Sequence, residues 1–139
     1  MNNKNRDKLL LKIDLIEENL KKLKELQKIS REEFKEDFRN IEACKYLLQT
    51  SIEIMIDMAN MIIALQRLGK PETNAEAFEI LASNGIISED SKEKYIVMTK
   101  FRNRIVHMYD KVDDSEIYDI LQNSLSDFES FIKEILSQI

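Results

Sequence analysis

The 139-residue chain is short of nearly everything that punctuates a backbone or equips a reaction centre: one Pro, two Gly, one Cys, one His and no Trp. A lone cysteine excludes an internal disulfide and any zinc site built on thiolates. Cys44 is expected to be buried as a small hydrophobe. Two glycines leave no room for a glycine-rich loop that cradles phosphates, and one histidine leaves no second imidazole for a metal. With so few helix breakers, 43% hydrophobic and 34% charged residues describe a helical domain, neither all-β nor disordered. The length suits a single domain, residues 1–139. Apolar runs such as Met61–Leu65 fall far below the roughly 20 residues of a membrane span. Met1–Asp7 lacks the apolar stretch and cleavage site of a secretion signal, so a cytoplasmic location without membrane association is expected.

What is present in quantity is charge, and acid predominates. A net charge of -5 and a pI near 5.1 argue against broad, sequence-independent nucleic-acid binding, which rests on lysine and arginine neutralising phosphates. A local basic cleft is still compatible: Lys94, Lys100, Arg102, Arg104 and Lys111 lie close together in sequence.

Hydrophobic spacing predicts an all-α bundle of about five helices. Leu9, Ile13, Ile16, Leu20 and Leu23 form one stripe, predicting a helix from about Asp7 to Ile29. Ser30-Arg31-Glu32-Glu33 is a capping box that opens a second helix. That helix could run through Phe34, Phe38, Ile41, Tyr46, Ile52, Met55 and Ile62 to Leu68, on the order of 57 Å, with a bend around Asn40 or Thr50. Leu47–Leu65 is apolar around most of its circumference and is the expected central helix. Gly69-Lys70-Pro71 should end it, with Gly in the left-handed cap. Thr73–Glu76 caps a short helix stopped by Asn84-Gly85, and Ser88 starts a fourth carrying Tyr95, Met98 and Phe101. Asp113 begins a final helix striped by Ile117, Ile120, Leu121, Leu125, Phe128, Phe131, Ile132 and Leu136.

The single histidine sits in Phe101-Arg102-Asn103-Arg104-Ile105-Val106-His107-Met108-Tyr109. An imidazole both takes and gives a proton near neutral pH, and a guanidinium keeps its charge and offers a fork of donors that fits phosphate oxygens. In a ribonuclease without metal, a 2'-hydroxyl attacks the adjacent phosphorus, a histidine handles the proton, and a cation stabilises the charge on the non-bridging oxygens. Spacing alone is equally met by a surface histidine, a surface arginine and a core-edge tyrosine. On an unbroken helix His107 lies roughly 140° around from Arg102, whereas Tyr109 returns to within about 20°. Either the helix distorts near Val106, or two chains each bring an Arg and a His to a cleft on a two-fold axis. The second is preferred, because two-fold assembly is the commonest oligomeric form.

The same run resembles the R-N-x-x-x-H-x-Y signature of HEPN-domain ribonuclease toxins of the HepT type. Ile52–Asn60, Gly69-Lys70-Pro71, Phe78–Leu81, Asn84–Ile87 and Met98 are similar to that family's pattern in the same order, so the resemblance covers nearly the whole chain. It implies a HEPN-like homodimeric, metal-independent endoribonuclease toxin with Arg102 and His107 as catalytic pair, cutting tRNA or mRNA to a 2',3'-cyclic phosphate and a 5'-hydroxyl. It also implies a partner, an MNT-type nucleotidyltransferase antitoxin that transfers AMP onto Tyr109; no cofactor is implied. Added bulk and negative charge beside Arg102 would then repel RNA phosphates. Asn103 is expected to support the motif through side-chain hydrogen bonds, with Asp57 as candidate partner. Two other functions compete. One is a non-catalytic helical module binding a nucleotidyltransferase, the other a nucleotide-binding protein using Arg102 and Arg104.

Overall fold

The computed structural model describes all 139 residues and contains seven α-helices and no strand. The helices are α1 (Asn3–Gln27), α2 (Arg31–Glu36), α3 (Phe38–Gln66), α4 (Asn74–Ser83), α5 (Glu89–His107), α6 (Asp114–Asn123) and α7 (Leu125–Leu136), with a 3-10 turn at Tyr109–Lys111. The expected five become seven because two long stripes are each cut once. Asp37 adopts an extended conformation (φ -115°, ψ 106°) and caps α3 by accepting from the Arg39 amide at 3.0 Å. The Arg39 guanidinium, 2.8 Å away, holds the Asp37 carboxyl below the usual range. The break thus precedes Asn40 by three residues, and at Thr50 the helix continues, with Thr50 Oγ1 donating to the Tyr46 carbonyl at 2.9 Å. A second break falls at Ser124, between α6 and α7.

α3 is the axis of the bundle, packed against α1, α2, α4, α5 and α6. Cys44, Leu48, Ile52, Met55, Met58, Ala59 and Ile62 on it are all but inaccessible, and they belong to one cluster of 36 buried hydrophobic residues. Phe38 and Tyr46, placed by spacing on the same stripe, are instead 72% and 65% exposed. α3 is also long and apolar enough to meet the length and composition of a membrane span, with mean hydropathy 1.3 over 18 residues, but 56% of that window is buried against neighbouring helices. Run length misses this because Glu53 and Asp57 interrupt the apolar sequence.

The ends of the helices are closed by specific chemistry. Arg67, not Gly69, takes the left-handed conformation after α3 (φ 53°), and Leu68 N–H returns to the Ile63 carbonyl at 3.0 Å. After α4, Gly85 (φ 72°) permits the matching turn, with Ile86 N–H bonded to the Leu81 carbonyl at 2.9 Å. At the other end of the molecule Gln27 donates to the Leu121 carbonyl (2.8 Å) and Gln122 to the Gln27 carbonyl (3.0 Å), tying α1 to α6. Phe78, Tyr95 and Phe131 meet edge to face or tilted, with centroids 5.3–5.9 Å apart, and join α4, α5 and α7. The Tyr95 hydroxyl donates to Glu134, whose other oxygen accepts from Ser88 N–H at 2.7 Å, so the start of α5 is anchored to α7.

Candidate functional site

α5 carries the motif out of this anchored base. Ser88 caps it, Glu89 and Asp90 occupy its first turn, and Arg104 and His107 its last, so carboxylates face the positive end of the helix dipole and the Arg104 guanidinium its negative end. The helix is regular through His107, where its last bond runs from Met108 N–H to the Arg104 carbonyl at 2.8 Å. No distortion occurs near Val106. The expected divergence of Arg102 and His107, roughly 140° around the axis, therefore holds within one chain.

Arg102 points toward α3. Its Nε and Nη2 donate to Glu53 Oε2 at 3.2 and 2.8 Å, and both side chains are about one-quarter to one-third exposed. Its Nη1 donates to Asn103 Oδ1 at 3.2 Å. Asn103 thus meets the arginine next to it, and the expected contact with Asp57 is corrected: Asp57 lies on solvent, 3.7 Å from Lys12. The carboxylate that engages the motif stands one turn earlier, at Glu53. Glu53, Ile56, Asp57, Asn74 and Arg102 line an open cleft of about 380 Å³.

His107 is exposed at the helix end. Tyr109 falls outside the helix, because α5 stops two residues before it, so it does not take the position about 20° from Arg102 that a continuous helix would give it. It sits in the 3-10 turn, 41% exposed, with the Nζ of Lys45 on α3 at 4.0 Å from its ring centroid. Arg102 and Tyr109 nevertheless both rest on α3, eight residues apart at Glu53 and Lys45. Arg104 is turned toward α6, where Glu116 accepts from its Nη1 and Nη2 and holds its proton more firmly than usual.

The basic concentration seen in sequence is therefore not a free patch: two of its cations are neutralised by carboxylates from α3 and α6. Glu53, Glu116 and Lys45 went unassigned from sequence. For Glu53 a signal existed, as a charge inside the most apolar helix must find a partner or solvent.

The fold has counterparts. Residues 16–135 match the family described as "Ribonuclease HepT-like". The chain belongs to that family. Among its relatives, the mRNA nuclease HepT of Shewanella oneidensis is 33% identical over 106 residues, 76% of this chain and 80% of that protein. The tRNA nuclease HepT of Aphanizomenon flos-aquae is 27% identical over 128 residues, 92% and 87% of the two chains. A solved structure of the tri-AMPylated HEPN toxin of Shewanella oneidensis in complex with its MNT antitoxin superposes with a TM-score of 0.88, at 30% identity and 99% coverage of both chains. The HepT-like family thus accounts for the all-helical architecture around α3 and α5.

Proposed function

We propose that this HepT-like chain is a metal-independent endoribonuclease and the toxin of a toxin–antitoxin pair, with Arg102 and His107 as its catalytic residues. The observation that carries the reading is the motif helix itself. α5 holds a guanidinium fixed by Glu53 and Asn103 and ends on an exposed imidazole, in a chain whose relatives are named nucleases of mRNA and tRNA. His107 takes the proton of a 2'-hydroxyl as that oxygen attacks phosphorus. Arg102 stabilises the charge on the non-bridging oxygens, the P–O5' bond breaks, and the departing 5'-oxygen takes a proton from water, giving a 2',3'-cyclic phosphate and a 5'-hydroxyl.

Because the two side chains diverge on one helix, the working site joins residues of two copies across a two-fold axis. Val97, Val106 and Met108, 63%, 40% and 46% exposed on and just after α5, supply apolar surface for such a contact. Tyr109, exposed beside the helix end, is the residue we assign to adenylylation by an MNT-type nucleotidyltransferase antitoxin, as the AMPylated relative in complex with its antitoxin suggests. An added phosphodiester there would place negative charge where substrate phosphates must come.

The test is cleavage of total RNA by purified, unmodified protein. His107→Ala and Arg102→Ala should each lower the rate by roughly 10²–10⁴-fold while leaving the fold intact. If both variants cut as fast as the parent, the catalytic assignment is wrong. If the parent itself cuts nothing and only binds a nucleotidyltransferase, the chain is an interaction module.

A further inference from the structure

Among the cations around the motif, Lys45 is the one that is buried without an anion; Lys94, Lys100 and Lys111 also lack a carboxylate partner but stand in solvent. Lys45 stands on α3 at 6% exposure, yet it belongs to none of the molecule's ion pairs. Arg102 and Arg104, by contrast, are held by Glu53 and Glu116. The omission occurs in a chain with 26 acidic and 21 basic residues, where a carboxylate partner would be easy to supply. Removing an ammonium from water is unfavourable unless an opposite charge replaces the lost hydration, and the face of one phenol ring offsets only a part. No side-chain nitrogen that is sealed from solvent lacks a partner, so Lys45 Nζ, which donates no hydrogen bond, keeps a narrow opening.

The cover over that opening is thin. The turn Tyr109–Lys111 buries none of its three residues and is closed by one bond, Lys111 N–H to the Met108 carbonyl at 2.9 Å. Lifting the ring exposes the ammonium without disturbing the core. Lys45 and Glu53 are eight residues apart, about 12 Å along the helix. Lys45 is therefore well placed for a phosphate other than the one Arg102 would serve.

We propose that Lys45 and Tyr109 form a nucleotide subsite for single-stranded RNA. The ammonium binds a phosphodiester flanking the scissile one, and the displaced phenol ring stacks on the adjoining unpaired base. Sequence-tolerant binding of this kind needs one cation and one aromatic face, since every base offers a π surface. This subsite rests on the ribonuclease reading above.

The experiment is titration of the unmodified full chain with a 2'-O-methyl RNA, which lacks the attacking hydroxyl, across a salt series. Lys45→Met should bind about tenfold more weakly, and the slope of log K against log salt should shrink by about 0.7, the value for one phosphate contact on a single strand. Lys45→Arg should keep most of the affinity and slope, and Tyr109→Phe should bind better than Tyr109→Leu. The melting temperature of Lys45→Met should be unchanged or higher, because an unpaired buried charge has been removed. Parent-like affinity and slope in Lys45→Met overturn the subsite, as does a binding loss that tracks a lower melting temperature and is not rescued by Lys45→Arg. If those results accompany cleavage that still depends on Arg102 and His107, only the subsite fails. If the parent neither binds nor cuts RNA, both proposals fall.

Discussion

A guanidinium is useful to a reacting phosphate only where its fork is aimed, and here a carboxylate on another helix does the aiming. Glu53 takes two donors of Arg102 and leaves Nη1 to Asn103. Glu53→Ala should therefore slow RNA cleavage by on the order of 10²-fold through misplacement of Arg102, with Glu53→Gln recovering part of the rate, because an amide oxygen still accepts. Single-turnover cleavage of a short RNA measures both. Cys44 behaves oppositely: burial alone pushes its thiol up to about 12 from 9.0. At pH 8 a disulfide reagent should label it only as fast as the chain unfolds. A raised native value favours the folded state while the thiol is protonated, and that contribution is lost as pH rises from about 9 through 12. Urea titrations of parent and Cys44→Ala should converge over that window, the parent losing the more stability.

At the scale of helices, side-chain caps decide where each element begins. Thr73 accepts from Glu76 N–H at 3.0 Å, while Glu76 accepts from Glu72 N–H at 3.3 Å, one residue before the cap amide of a standard box. Thr73→Ala should cost about 1 kcal/mol in urea denaturation, and Glu76→Ala less. Such caps were readable in sequence at Ser30, Thr73, Ser88 and Asp113, and each stands at the start of a helix, although the one Ser30 opens ends at Glu36 and does not run on to Leu68. The two missed interruptions have a common cause. Spacing of apolar residues continues across Asp37 and Ser124, so periodicity does not register a one-residue change of direction, and only the polar residue itself marks the break. The same limit applies to the site. Arg102, His107 and Tyr109 stand out because they crowd one short segment. Glu53, Lys45 and Glu116 act from α3 and α6, and only the folded packing brings them to that segment.

The whole molecule sets the last constraint, because a regular α5 directs Arg102 inward and His107 outward. If two copies build each reaction centre, mixing the inactive Arg102→Ala and His107→Ala proteins and allowing subunit exchange should restore about a quarter of parental activity. Half the dimers would be mixed, each with one of two Arg–His pairs intact. Recovery measured against each variant alone separates shared centres from centres within one chain. The three-residue turn that carries Tyr109 bears on something else: it ends at Val112, which is 6% exposed and pinned in the core, so a visiting enzyme can draw the tyrosine outward while the hydrophobic interior stays shut. If Tyr109 is the residue that takes AMP, its modification is thereby uncoupled from folding, and a tagged and an untagged molecule should melt at nearly the same temperature while differing in what they cut.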